Sequence, residues 1–197
     1  MIAMKVGPKL KRTCVLDDGS KVTIRCIRPA DRDALRATFH ALKPETRYRR
    51  FMGHFADLTP AMLTYLTEVD GQDHVAIVAI PAGRKRRGAP TEIVAVARVI
   101  RLRSDATSAE VAVTVTDALQ GLGLGTRLLE ILVEAAKERG VTKLVAHVLD
   151  GNARMKRLLE KNGVLTSTKD GGVSVTIVRR TAFDRALAWF RWPRRAA

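Results

Sequence analysis

Residues 110–137 constrain this chain more than any other stretch. They read Glu110-Val-Ala-Val-Thr-Val-Thr116, then Asp117-Ala-Leu-Gln-Gly-Leu-Gly-Leu-Gly-Thr126, then Arg127-Leu-Leu-Glu-Ile-Leu-Val-Glu-Ala-Ala-Lys137. The first segment alternates with period two and is rich in β-branched residues, which predicts a strand. The last sets Leu128, Leu129, Leu132, Val133 and Ala136 at helical spacing, which predicts an amphipathic helix. Between them lies a turn carrying Gly121, Gly123 and Gly125. A glycine-rich turn feeding a helix gathers free backbone N–H groups and the positive end of the helix dipole at one point. Such a point receives phosphate, and glycine adds no side chain to obstruct the approach.

The spacing narrows the ligand. A dinucleotide fingerprint needs Gly-x-Gly-x-x-Gly, whereas these glycines fall at every second residue. A P-loop needs Gly-Lys-Ser/Thr at the helix start, and Gly125 runs directly into Thr126. A glycine-rich connection without any ligand stays open on spacing alone. Gln120-x-x-Gly123-x-Gly125 resembles the Gln/Arg-x-x-Gly-x-Gly/Ala signature of the GNAT family, the acetyl-CoA-dependent N-acetyltransferases. The resemblance implies that the backbone of Gln120, Gly121, Leu122, Gly123, Leu124, Gly125 and Thr126 cradles the pyrophosphate of acetyl-CoA.

Composition sets outer bounds. A chain of 197 residues, 46% hydrophobic and 28% charged, is long enough for one domain with a substantial core. No apolar run reaches the ~18 residues of a spanning helix. The basic segment before Thr13 lacks the apolar core and cleavage site of a secretion signal. Cys14 and Cys26 are the two cysteines, too few for a disulfide framework, and a reduced cytoplasmic setting is expected. The net charge of +15 favours polyanionic partners and argues against a polyamine substrate. The alternative is a solvated basic surface with no partner of its own.

Read in order, residues 1–14 look like a basic arm, expected to be loose over residues 1–11. Val15 to Ser20 suggests a short strand and a turn at Asp18-Gly19, a hairpin signal, and Lys21 to Arg28 alternates as a strand. Asp31 can cap a helix running to about Leu42, Pro44 to Phe51 reads as a short helix, and Thr59-Pro60 opens a third. Strands are predicted over residues 74–80 and 91–101, with a turn at 104–107 and the Glu110 strand after it. Beyond the predicted helix of residues 127–137, strands are expected at 141–149, 165–169 and 173–178, with a helix from Ala153 to Glu160 capped by Asn152. The loop containing Arg84, Lys85, Arg86 and Arg87 is either a solvated hairpin tip or a contact for an acidic partner.

This order is similar to the GNAT arrangement over residues 15–181. The fold class implied is α/β (α+β), with a central, mostly antiparallel mixed sheet, helices on both faces and one pair of parallel strands that splay apart. In that fold the acyl-pantetheine arm enters the splay and pairs with the strand backbone, a role carried here to Val113, Thr114 and Val115. The segments from Ile24 to Asp31, from Leu42 to Phe51 and from Ala109 to Val113 further resemble bacterial protein lysine acetyltransferases of the Pat type. That likeness implies Glu110 as general base and a lysine on a partner protein, such as an acyl-CoA synthetase, as acceptor.

The chemistry wants such a carboxylate. A free lysine with a pKa near 10.4 is neutral in only about one molecule in 2,500 at pH 7. A carboxylate beside the ammonium attracts it and removes its proton, directly or through a water. Partial burial at a strand start would raise the pKa of Glu110 toward the working pH, and backbone N–H groups near Val113 could receive developing negative charge. With no cysteine in the stretch, direct transfer is expected rather than an acyl-enzyme. The tyrosine that serves the family as general acid is replaced by Leu159, and the aromatic that follows the glycine is replaced by Val164. Asn152 matches the asparagine that contacts the pantetheine, and equally well a plain helix cap. His147 is read as a strand-packing residue, and no metal-ligand constellation is found, so no metal is expected.

The tail, residues 182–197, holds both tryptophans, Trp189 and Trp192, among arginines. It is expected either to fold back onto the domain or to give weak contact with a membrane surface or a partner. Three functions remain in play. They are a protein lysine acetyltransferase, a small-amine acetyltransferase of the same fold, and a non-catalytic module that binds CoA or another polyanion, with nucleic acid the less favoured ligand.

Overall fold

Val22 and Ile24 are buried while Lys21 between turn and strand is exposed, so the second strand presents one apolar edge to the interior and one polar edge outward. This strand belongs to a single sheet in the computed structural model, which describes residues 6–83, 91–149, 151–161, 163–167 and 173–177, and the central strands of that sheet are buried on both faces. Its strands are β1 (Lys11–Val15), β2 (Lys21–Cys26), β3 (His74–Pro81), β4 (Ala95–Leu102), β5 (Asp105–Val115), β6 (Lys143–Ala146), β7 (Gly163–Ser167) and β8 (Val173–Ile177). Their spatial order is β1-β2-β3-β4-β5-β6-β8-β7. Every neighbouring pair is antiparallel except β5 and β6, which run parallel. The mixed sheet with one parallel pair is the arrangement expected from the sequence.

Helices cover both faces. On one side α4 (Leu124–Glu138) lies against β4 and β5 and buries Leu124, Leu128, Leu129, Leu132 and Ala136, joined by Val75, Ile77, Val99 and Val111 from the sheet. On the other side stand α1 (Arg32–Ala41), α2 (Pro44–Phe51) and α3 (Pro60–Thr67). There Leu35, Phe39, Leu63 and Leu66 pack on Ala76, Val78 and Val96. The fifth helix, α5 (Ala153–Glu160), follows β6, and its buried Leu159 joins the α4-side core.

Three local expectations are corrected. The basic arm is not loose over residues 6–14: Val6 and Leu10 are in the core at 1% and 3% exposure, and β1 begins at Lys11. Two apolar anchors outweigh the local charge because each hides its side chain under the sheet, where Arg139 also donates to the Val6 carbonyl. Asp31 does not cap α1 through its side chain. Its buried carboxylate instead takes both guanidinium nitrogens of Arg25 at 2.6 Å and the Arg28 N–H at 2.8 Å, a bidentate pair that fixes the strand-to-helix corner. The turn expected at 104–107 is displaced, since β5 already begins at Asp105. Thr59 does cap α3 as expected, accepting from the Met62 N–H at 3.2 Å. The four-cation loop and the tail at 182–197 lie outside the described residues.

Candidate active site

Pairing between β5 and β6 runs through Ser108–Lys143, Ala109–Leu144 and Glu110–Val145, and stops there. On its other edge β5 continues to pair with β4 as far as Val115. The two parallel strands therefore part at Glu110, and the gap between them opens into a cleft of about 670 Å³. Glu110 is half-buried at the apex. Strand alternation and the β4 register place Glu110, Ala112 and Thr114 on the face of Val96 and Arg98, toward α1–α3. Val111, Val113 and Val115 pack instead with the α4-side core.

The far end of the cleft is the glycine turn. Gly121 and Gly123 adopt positive φ, +87° and +80°, which bends the chain so that Gly123 forms the N-cap of α4. No side chain caps that helix. Among the described residues, no protein acceptor takes the N–H groups of residues 121–126, whereas the Gln120 N–H closes weakly on the Asp117 carbonyl at 3.4 Å. The amides thus stay available at a helix N-terminus, an arrangement suited to an anion. Gln120, Gly121, Gly123, Gly125 and Thr126 line the cleft. Leu124 is buried in the core and Leu122 packs against it, so both serve the turn through the backbone alone. The side chain of Gln120 bridges the opening, donating to the Val115 carbonyl at 3.1 Å and accepting from Arg154 Nη1 at 2.7 Å.

Val113, Thr114 and Val115 line the floor, and Thr114 Oγ1 is a buried hydroxyl without a hydrogen-bond partner. Asn152 lies on the cleft wall and caps α5, its Oδ1 accepting from the Met155 N–H at 3.2 Å. The site residues expected from the sequence therefore come together, with Glu110 at one end of a single cavity and the turn at the other. One expectation is overturned. His147 is not a strand-packing residue: β6 ends at Ala146, and His147 is exposed on the cleft wall.

Several residues that shape the cleft gave no local sign of themselves. Asp117 reaches across to α2, accepting from the Lys43 N–H at 2.9 Å and the Thr46 hydroxyl at 2.8 Å. Burial alone would push the Asp117 carboxyl up, but these donors outweigh it and hold the group below its ordinary value. Asp117 thus caps α2 from another element, which brings Thr46, Arg49, Arg50 and Phe51 to the cleft wall. The one available hint was negative: Lys43, at the N-cap of α2, carries no side chain able to cap it. The guanidinium of Arg50 lies over the Phe51 ring at 5.0 Å. Burial pushes this group down, while Glu110 and Tyr65 pull it the other way.

Beneath this wall Arg98 is buried and donates to His74 Nε2 at 3.1 Å. A guanidinium has only donors, so His74 must offer a bare nitrogen. Burial first, and the Arg98 cation second, push His74 down to about 4.

Residues 32–164 match the sequence pattern of the Acetyltransferase (GNAT) family. The chain belongs to the GNAT acetyltransferases. It is similar to Acetyltransferase PA5475 of Pseudomonas aeruginosa, 31% identical over 169 residues that span 85% of this chain and 87% of that protein. It is also similar to Acetyltransferase Pat of Mycolicibacterium smegmatis, 39% identical over 134 residues, 68% of this chain and 38% of that relative. The chain therefore spans well under half of the mycobacterial Pat. Among solved structures, the GNAT domain of S. lividans PAT superposes with a TM-score of 0.73 at 29% identity, over 84% of this chain and 94% of that one. The chain accordingly carries a GNAT acetyltransferase domain.

Proposed function

We propose that this GNAT enzyme acetylates the side-chain amine of a protein lysine by direct transfer, with Glu110 as general base. The observation that carries the reading is the end of β5–β6 pairing at Glu110. It sets a carboxylate at the head of a cleft whose other end is a cluster of backbone amides without protein acceptors. Those amides, together with the unpartnered Thr114 hydroxyl on the cleft floor, fit a long donor carrying phosphates at one end and polar amide groups along its arm. Residues 120–126 would hold the pyrophosphate, and Val113, Thr114, Val115 and Asn152 the arm. Bound there, acetyl-CoA supplies an acyl group already activated as a thioester.

The protein's own part is then positional and protonic. Glu110 draws the acceptor ammonium to the apex by charge and takes its proton, directly or through one water. Strand β5 fixes that carboxylate through its β4 pairing on one edge and its β6 pairing on the other. Leu159, which stands where the family's tyrosine would be, is 1% exposed in the core and donates no proton, so as the amine bonds to the acetyl carbon and the C–S bond breaks, the CoA thiolate leaves as the anion or takes a proton from water. A protein acceptor is supported by the likeness to the Pat enzymes and by the rim of the cleft. Met52 lines it at 43% exposure beside Arg49 and Arg50, a mixed apolar and cationic border open to solvent that suits a polypeptide segment.

Incubation of a lysate with the protein and isotopically labelled acetyl-CoA, followed by mass spectrometry, tests the reading. Label on lysines of one or a few proteins, absent with Glu110→Gln, is the expected result. Label confined to small amines would replace the acceptor class, and no transfer at all would leave a binding module.

A further inference from the structure

We infer that Asp17 is a built-in brake on donor binding: its carboxylate faces the amide cluster proposed to receive the donor's phosphates and loosens its grip on them. The inference rests on the donor site proposed above. Asp17 lies in the hairpin turn after β1, and its N–H donates to the Leu122 carbonyl at 3.3 Å, which ties the hairpin to the glycine turn. Both carboxylate oxygens stand 3.4 Å from the position a β-carbon on Gly123 would occupy, and Asp17 lines the same cleft as Gly121, Gly123 and Thr126. The neighbouring Asp18 is engaged elsewhere, accepting from the Ser20 N–H and hydroxyl. Asp17 is therefore delivered to the mouth of the anion site by a backbone bond, yet it does not cap α4, which has no side-chain cap.

A carboxylate in this position shares the field of the helix terminus with any incoming phosphate and repels it. The group is solvent-exposed, so water and salt weaken the repulsion and the effect is moderate, about three- to tenfold in affinity at low salt. The sign of the device makes chemical sense. A chain of net charge +15 attracts polyanions, and the spent coenzyme carries the same phosphates as the donor. Product departure often limits turnover in enzymes of this kind of economy, and a local negative charge shortens the stay.

Calorimetric titration of the full chain decides the matter, with CoA as one ligand and pantetheine, which lacks the pyrophosphate, as the other. Asp17→Asn keeps the size and the backbone bond while removing the charge, and Asp17→Ser serves as a second variant. Both are expected to bind CoA about three- to tenfold more tightly than the unaltered protein. The gain should shrink in about 0.5 M salt and be absent for pantetheine. Equal affinity for CoA overturns the brake. Weaker binding overturns it too, because Asp17 would then be holding the donor. An equal gain for pantetheine would mean a change of shape rather than of charge. An unaltered protein that binds no CoA removes the donor site itself and the brake with it, a failure distinguishable from the other three.

Discussion

Replacing Glu110 by Gln keeps the shape of the apex and removes its charge, and the size of the loss can be worked from the proposed chemistry. Glu110 is held by the last β5–β6 pair on one edge and by Ile100 of β4 on the other, so the amide should occupy the same place. Without a base, transfer has to rely on the fraction of lysine that is already neutral, about 1 in 2,500 at pH 7. Part of the deficit is recovered by water acting as base, so the expected fall in kcat is about 10²- to 10³-fold at pH 7, within the usual range for a positioned base. The same reasoning fixes the pH dependence. Each unit of added alkali raises the neutral fraction about tenfold until pH approaches ~10.4, so the variant should close most of its gap to the unaltered enzyme by pH 9–10. A continuous thiol-release assay at several pH values reads the rate, and calorimetry with CoA should show unchanged affinity, because residues 120–126 are at the other end of the cleft. Transfer that is undiminished at pH 7, or a deficit that stays constant with pH, would refute Glu110 as the proton acceptor.

Other consequences are more local. His74 is held down to about 4 against an ordinary value near 6.5, so its neutral form stabilises the fold fully above pH ~6.5, and that stability is lost as pH falls toward 4. The span corresponds to about 3 kcal/mol, and urea unfolding at pH 7 and 4.5 should show the slope in the unaltered protein but not in His74→Gln, whose amide oxygen can still accept from Arg98. Gly123→Ala forces a side chain into positive φ at +80° and should cost about 1–2 kcal/mol, whereas Gly125→Ala, inside α4 and only in ordinary contact with Leu158 at 3.6 Å, should leave stability unchanged or slightly higher; thermal melts separate the two. Asp117→Ala removes both acceptors at the start of α2 and should lower stability by about 1–2 kcal/mol. It should also raise KM for the protein acceptor more than for acetyl-CoA, because α2 forms the wall of the cleft.

What the sequence disclosed depended on whether the signal was local. The strand, turn and helix of residues 110–137 were legible because period two, a glycine turn and helical spacing each report on the residues within a few positions. Strand β1 was legible only where Val15 meets the hairpin turn: Lys11-Arg-Thr-Cys before it is a short, charged sheet edge with no apolar alternation to read, and Val15 itself is 59% exposed. Residues 141–149 read as one apolar strand, yet only Lys143–Ala146 pairs. Periodicity reports burial rather than pairing, and Val148 remains 4% exposed after the strand has ended. That same early ending is what turns His147 into the cleft. Asp117 escaped notice because its partners are 74 and 71 positions away. Asp31 offers a cap and an ion-pair partner through the same side chain, and the half-buried Arg25 wins.

The site is better understood as a consequence of one topological unit than as a set of separately placed residues. Strand β5 keeps its β4 partner to Val115, while β6 leaves it after Glu110, so a gap must open on the β6 side over the last five residues of β5. The chain has to travel from the end of β5 to the start of β6 through α4, whose packed face fixes it on one side of the sheet. The N-terminus of α4 therefore falls at the open end of that gap, and its amides are free because the glycine turn supplies no cap. The closed end is the last paired residue, which is where a carboxylate facing α1–α3 can meet an acceptor entering from the opposite face to α4. Moving the splay point by two residues would carry Glu110, the proposed base, out of register with the proposed anion site while leaving every local motif intact. For that reason the Gln-x-x-Gly-x-Gly signature alone predicts a phosphate site, and the ladder's end at Glu110 and Val145 is what gives that site something to react with.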